Sequence, residues 1–235
     1  MARPQPLILL PPSEGKANGG TGAPWSPGTM ADTALDDARA RVLAAAAAAG
    51  AVDPGAPTLP AIERYTGVLY GELAWPTLPA GARRRGARRI RVVSGLWGLV
   101  AATDPIPHYR LKMSARLDGL GRLATWWRPQ LAPVLAARAH RAVVWDLLPN
   151  EHSAAMDWRH VEPARRVTVR FLDEQGRTVS HWNKLLKGAL VRWLLTEAPE
   201  GPEDLAHFEH PLGYRFDPDA SDLGPDRAAV IMRAG

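Results

Sequence analysis

Four short polar clusters in this chain combine residue types that can bind an anion or move a proton. The first is Ser13-Glu14-Gly15-Lys16. A glycine beside a serine and a lysine lets backbone N–H, hydroxyl and ammonium approach one phosphate together. The Gly-x-x-x-x-Gly-Lys-Ser/Thr spacing of a triphosphate-binding loop is missing, and Ala17 follows the lysine. Ser13 and Lys16 do share the Ser-x-x-Lys spacing of some serine hydrolases. That spacing needs both side chains on one helical face, and Gly15 after Pro11-Pro12 opposes a helix. The competing reading is a solvated loop.

The second cluster runs from Ser94-Gly95-Leu96-Trp97-Gly98 to His108-Tyr109-Arg110-Leu111-Lys112. Asp104-Pro105 and Ile106-Pro107 hold the chain between them extended. If that extension continues, Arg110 and Lys112 project to one side, where two cations beside Tyr109 and His108 suit phosphate or carboxylate. A structural arginine paired with Asp104 or Glu63 is the alternative. The third cluster, Asn150-Glu151-His152, can orient a ligand or supply a general base, or else cap a helix. The fourth is Lys184 and Lys187, three residues apart on one helical face. An anion between them would offset their repulsion; an ordinary solvated face is the other reading. In a catalytic scheme Arg110 holds the anion, Lys16 stabilises developing charge, and Glu151 or His108 moves the proton.

Other features narrow the chemistry. Arg83, Arg84, Arg85, Arg88, Arg89 and Arg91 form the densest charge run, read here as non-specific electrostatics on a solvated surface. The histidines, at 108, 140, 152, 160, 181, 207 and 210, form neither a His-x-x-x-His pair nor a His-Glu-x-x-His motif. No metal site and no cofactor are expected. The chain has no cysteine, which excludes disulfides, thiolate nucleophiles and iron–sulfur ligands. A net charge of +5 and a pI near 10.0 favour anionic partners. The apolar stretch Leu7–Leu10 is too short for a signal peptide or a membrane helix, so a cytoplasmic protein without a membrane partner is expected.

The elements that must position these clusters follow from the apolar pattern. Leu7–Leu10, Ile90–Val93 and Ala142–Leu147 read as short buried strands, each followed directly by a polar cluster. In open α/β sheets ligands bind where loops leave the carboxyl ends of strands. Ala31–Ala49 reads as an alanine-rich helix, with Asp32 or Thr33 as its cap and Gly50 as its stop. Arg166–Asp173 alternates and is followed by Glu174-Gln175-Gly176, with Thr178–His181 as the returning arm of a hairpin. Trp182–Thr196 reads as a helix, and Ala228–Met232 as a late strand. No linker splits the chain. The expected architecture is α/β: one domain over residues 1–235, with a mixed sheet, flanking helices and a helical insertion at about 28–64.

Taken in order, several segments resemble the YaaA peroxide-stress protein family. They are Leu9-Leu10-Pro11-Pro12-Ser13-Glu14-Gly15-Lys16, Tyr65-Thr66-Gly67-Val68-Leu69-Tyr70, Ser94-Gly95-Leu96-Trp97-Gly98, Asp104 to Met113, Leu147-Leu148-Pro149-Asn150-Glu151, Lys184 to Lys187, and Gly213-Tyr214. The resemblance implies a compact α/β fold, a cytoplasmic role in limiting peroxide damage to DNA, a positively charged cleft, and duplex DNA binding through a helix-hairpin-helix element. Residues 27–63, where that element should lie, hold the alanine-rich helix and Pro54, Pro57 and Pro60, without an apolar-Gly-apolar-Gly hairpin.

Two functions are therefore weighed. One is a stress protein whose cleft binds nucleic acid. The other is an enzyme acting on a nucleotide, nucleobase or other small anion. The expected contacts in either case are Ser13, Lys16, Ser94, Tyr109, Arg110, Lys112, Asn150, Lys184 and Lys187. A third reading, partner binding through exposed tryptophans, is weaker, because Trp126, Trp127 and Trp193 fall in helical patterns that suit a core or its edge.

Overall fold

Leu7–Leu10 (β1) is apolar at every position because both of its faces are covered. It is an inner strand of a parallel array, with a parallel neighbour on each side, and all four residues are buried. A computed structural model describes residues 5–179, 182–210 and 212–235 of the chain. Around β1 the main sheet assembles from Ile90–Ser94 (β2), Gly98–Ala101 (β3), Val143–Asp146 (β4), Arg165–Leu172 (β5), Tyr214–Phe216 (β6) and Arg227–Ala234 (β7). The spatial order is β6-β7-β5-β4-β1-β2-β3. The five inner strands run parallel, and β6 and β3 are antiparallel edges. This is the mixed sheet that the apolar pattern predicts.

Helices cover both faces: Asp36–Ala48 (α1), Val68–Leu73 (α2), Ala80–Arg89 (α3), Leu123–Ala139 (α4) and Asn183–Thr196 (α5). One continuous core joins them to the sheet, built on Leu9, Leu10, Trp97, Trp127, Trp145 and Phe171. It forms a single compact α/β domain. Among the described residues no helix is long and apolar enough to cross a membrane.

Several expectations are corrected. The alanine-rich helix starts at Asp36 rather than Ala31, after a 3-10 turn at Thr33–Leu35. Asp32 does not cap it. Its carboxylate instead receives Arg91 Nε at 3.2 Å and Arg138 Nη2 at 2.8 Å, in a buried cluster between α1, β2 and α4. The arginine run is therefore not plain surface charge. Arg91 is buried, and Arg85 donates to the carbonyls of Leu195 and Thr196 at 2.7 and 3.0 Å. Those carbonyls close the last turn of α5, where no helical N–H remains to meet them.

The sequence marks α4 only by the helical pattern around Trp126 and Trp127, because Pro129 and Pro133 lie inside it and proline lacks the N–H that helix interiors use. Its buried stripe, Leu123, Trp127, Leu131, Leu135 and Ala139, still follows helical spacing. The hairpin after β5 returns only as isolated pairing, with Val179 N donating to Phe171 O at 3.0 Å. Ser180 and His181, the end of its expected arm, lie outside the described residues. Residues 28–64 carry α1, a two-residue strand at Leu59–Pro60 paired with Pro105–Ile106, and a helical turn at Ala61–Arg64. They hold one long helix, so the paired helices of a helix-hairpin-helix do not stand there.

Candidate functional site

The chain reverses its direction of strand addition at β1. It places β2 on one side, then β4, β5 and β7 on the other. Loops leaving the carboxyl ends of adjacent strands diverge at such a point and leave a crevice. Here the crevice is a cleft of about 350 Å³. Its walls come from the loop after β1 (Ser13, Glu14, Lys16), the extended segment Arg110–Lys112, and Glu151 and His152 after β4.

The loop after β1 is clamped from behind by a residue that the sequence reading passed over. Arg64 is wholly buried and donates to the carbonyls of Ala17, Gly19, Pro57 and Ile106. Ser13 Oγ accepts the Gly67 N–H at 2.7 Å, and a Cβ at Gly67 would collide with that oxygen. Gly95 does similar work, since a Cβ there would sit 2.9 Å from the Lys112 carbonyl. The glycine lets the Arg110–Lys112 segment lie against β2.

Lys16 is part of the cleft wall. Its Nζ donates to Ser13 O at 2.8 Å and lies 4.3 Å from the Tyr109 ring centroid and 5.7 Å from that of Tyr65. Among the described residues no carboxylate pairs with it. Burial, together with the nearby Arg110 and Arg64 guanidiniums and against the pull of Glu14, pushes its pKa down to about 8. Glu14 is engaged elsewhere, with Lys112 Nζ 2.8 Å from its Oε1. Arg110 is exposed on the rim, its backbone fixed by N–H donation to Ala51 O at 2.8 Å. It pairs with neither Asp104 nor Glu63. Asp104 instead accepts the backbone N–H groups of Ala31 and Ala101.

Other predicted residues take different places. Ser94 and Tyr109 are 0% and 1% exposed and lie beneath the cleft rather than in its wall. Their oxygens form a chain, Ser94 Oγ to Tyr109 Oη to Tyr65 Oη, with both spans 2.8 Å. Burial pushes the Tyr109 hydroxyl up to about 12, so it stays protonated as the floor on which Lys16 rests. His108 is half-buried and not among the lining residues; burial first, then Lys16, Arg64 and Arg110, hold it below its ordinary value. Asn150 is exposed and opens a short helical turn, Asn150–Ser153, outside the lining.

Glu151 lines the cleft, but its Oε1 is held by the Ser114 N–H at 3.0 Å and hydroxyl at 2.8 Å. Burial pulls its carboxyl up, yet those donors outweigh it and keep the pKa below the usual value. A carboxyl held below its usual value by two Ser114 donors suits anchoring the 110–114 segment better than accepting protons. Its neighbour His152 is the better proton carrier on geometry. It is buried and lines the cleft, burial lowers its pKa, and its Nδ1 has no hydrogen-bond partner among the described residues.

Lys184 and Lys187 do not share an anion. Lys187 turns inward and donates to Leu147 O at 2.9 Å, while Lys184 lines a smaller recess with Val68 and Tyr70 beyond the Ser13–Glu14 ridge. Among the described residues no group of three or more His, Asp or Glu side chains could hold a metal ion.

One signal went unread. The chain has 25 arginines and only four lysines, Lys16, Lys112, Lys184 and Lys187. All four lie at this end of the sheet, on the cleft wall, in the neighbouring recess or against the loop leaving β4. Lysine scarcity alone would have singled them out.

The family model described as peroxide stress protein YaaA matches residues 30–220. This chain belongs to the YaaA peroxide stress family. A UPF0246 protein of Streptomyces coelicolor is 40% identical to this YaaA-family chain across 93% of the chain and 94% of the relative. A UPF0246 protein of Corynebacterium efficiens is 35% identical across 83% and 86%, and one of Cereibacter sphaeroides is 33% identical across 75% and 70%. The family-model match begins after the Lys16 loop, which joins the site through the fold.

Proposed function

We propose that this YaaA-family protein serves the peroxide stress response through its cleft, by binding and acting on a small phosphate- or carboxylate-bearing molecule of nucleotide size. The observation that carries this reading is the pairing of Lys16 and Arg110 around a cleft of about 350 Å³, with the nearest carboxylates already committed to Lys112 and Ser114. The two cations are left to complement an anion. The volume matches a compact ligand better than a polymer backbone. Arg110 meets the anion, the fixed Ser13–Lys16 loop flanks it, and His152 moves a proton. A cytoplasmic setting accords with the cysteine-free composition.

Calorimetry with inorganic phosphate and with nucleotides tests this reading. Saturable binding that weakens about tenfold or more in Arg110→Ala is expected, in line with loss of a charge-assisted contact. Absence of binding by the wild type to every such ligand sinks it.

A second reading is duplex DNA, supported by the net charge of +5 and by the exposed Arg110, Lys112 and Lys184 around the site. Binding of this kind weakens with salt on a log–log slope set by the phosphates contacted. A slope near zero, or no binding at low salt, eliminates it.

A further inference from the structure

We propose that Lys16 Nζ is a nucleophile that forms an imine with a carbonyl-bearing anionic small molecule held in the cleft. The proposal rests on the reading of the cleft as a small-anion site and names the reactive group of its ligand. Arginine serves this chain wherever a permanent cation suffices: Arg64, Arg85, Arg91 and Arg166 all hold carbonyls or carboxylates. Lysine is kept only around the cleft. What lysine offers beyond arginine is the ability to lose a proton and become a nucleophile.

Of the four lysines, Lys16 alone combines a place in the cleft wall with the absence of an ion pair among the described residues. Lys112 is tied to Glu14, Lys187 points into the protein, and Lys184 stands in the neighbouring recess. The faces of Tyr109 and Tyr65 shield Nζ from solvent, and Arg110 and Arg64 add positive potential. These surroundings maintain a share of free amine near neutral pH. The other nucleophile of the lining, Ser13 Oγ, is engaged by the Gly67 N–H, and the chain has no cysteine.

The chemistry needs no further reactant. The Nζ lone pair forms a C–N bond to the carbonyl carbon while the C–O π pair moves to oxygen. The two amine hydrogens then leave with that oxygen as water, and nitrogen's remaining pair closes the C=N bond. Arg110 holds the acidic group of the ligand, and His152, which lines the same cleft with an unpartnered Nδ1 among the described residues, carries the proton between nitrogen and oxygen.

Reductive trapping on the whole chain tests the proposal. Pyridoxal 5′-phosphate serves as the anionic aldehyde, pyridoxal as its uncharged counterpart and borohydride as the reductant, with peptide mass as the readout. The expected result is an adduct at Lys16 that forms about tenfold faster than at Lys112, Lys184 or Lys187. Its rate should climb around pH 8. No adduct at Lys16, or labelling of another lysine first, overturns the proposal. Calorimetry with inorganic phosphate reports separately on the underlying reading. Phosphate bound by the wild type and lost in Arg110→Ala, with Lys16 unlabelled, removes the imine and retains the anion site. Equal labelling of Lys16 by both aldehydes, with no phosphate binding, overturns the anionic part of the proposal together with that reading.

Discussion

Lys112 Nζ lies 2.8 Å from Glu14 Oε1, and this exposed pair takes the nearest carboxylate away from Lys16. Both side chains are largely in water, so the pair contributes little to stability. Its effect is on where charge stands in the cleft. Lys112 holds the Glu14 carboxyl below its ordinary value and keeps it on the rim. Lys112→Ala is expected to release Glu14 toward Lys16 and raise the Lys16 pKa, with the melting temperature nearly unchanged. With only four lysines to assign, NMR of ¹³C-methylated lysines can follow the titration directly. A Lys16 titration that does not move would show that burial and the arginines alone set it.

Lys16 should also leave a mark on the pH dependence of stability. Its folded pKa of about 8 lies below the ordinary value of 10.5. Between those values the unfolded chain binds the proton and the folded protein does not, so the contribution of this group rises with pH across that window and is flat below it. Denaturation midpoints of the wild type and Lys16→Met, measured from pH 8 to pH 10.5, should therefore diverge, the wild type gaining relative to the variant. Taking the difference cancels the buried tyrosines, which act in the opposite direction. Parallel curves would contradict the depressed pKa.

The hydroxyl chain beneath the cleft is expected to be structural. Tyr109→Phe removes the oxygen that lies 2.8 Å from both Ser94 Oγ and Tyr65 Oη. Two buried hydroxyls then lose a partner, a loss of about 1–3 kcal/mol. Urea denaturation reads this cost. Phosphate affinity should stay within about threefold of the wild type, because the ring that supports Lys16 remains. A large loss of affinity without a loss of stability would place the Tyr109 hydroxyl in the site itself.

Asp32 gathers Arg91 and Arg138 at 3.2 and 2.8 Å in a largely buried cluster remote from the cleft. Asp32→Ala leaves Arg91, itself only 4% exposed, without that compensation. A cost of about 3–5 kcal/mol is expected, as for other broken buried pairs. Thermal or chemical denaturation measures it, and a change below about 1 kcal/mol would mean that water reaches the pair.

The sequence by itself determined the sheet and the cast of polar residues. Leu7–Leu10 is a continuous apolar run, and Ile90–Val93 and Ala142–Leu147 are apolar apart from Arg91 and Asp146, because parallel inner strands are covered on both faces, and such runs are readable without coordinates. Each of these strands is followed by a polar cluster, and Ser13, Lys16, Arg110, Lys112 and Glu151 do meet in one cleft. Only the tertiary structure decided which of the long side chains face the cleft. Lys184 and Lys187 are equivalent on a helical wheel, but a carbonyl forty residues away, Leu147 O, turns one of them inward. Ser94 and Tyr109 look like contacts in one dimension and become a floor once Tyr65 arrives from another segment. Glu151 reads as a base until Ser114 claims its oxygen. Local spacing tells which side of an element a residue occupies. Its partner, and so its protonation and its role, comes from groups that are distant in the chain and adjacent only after folding.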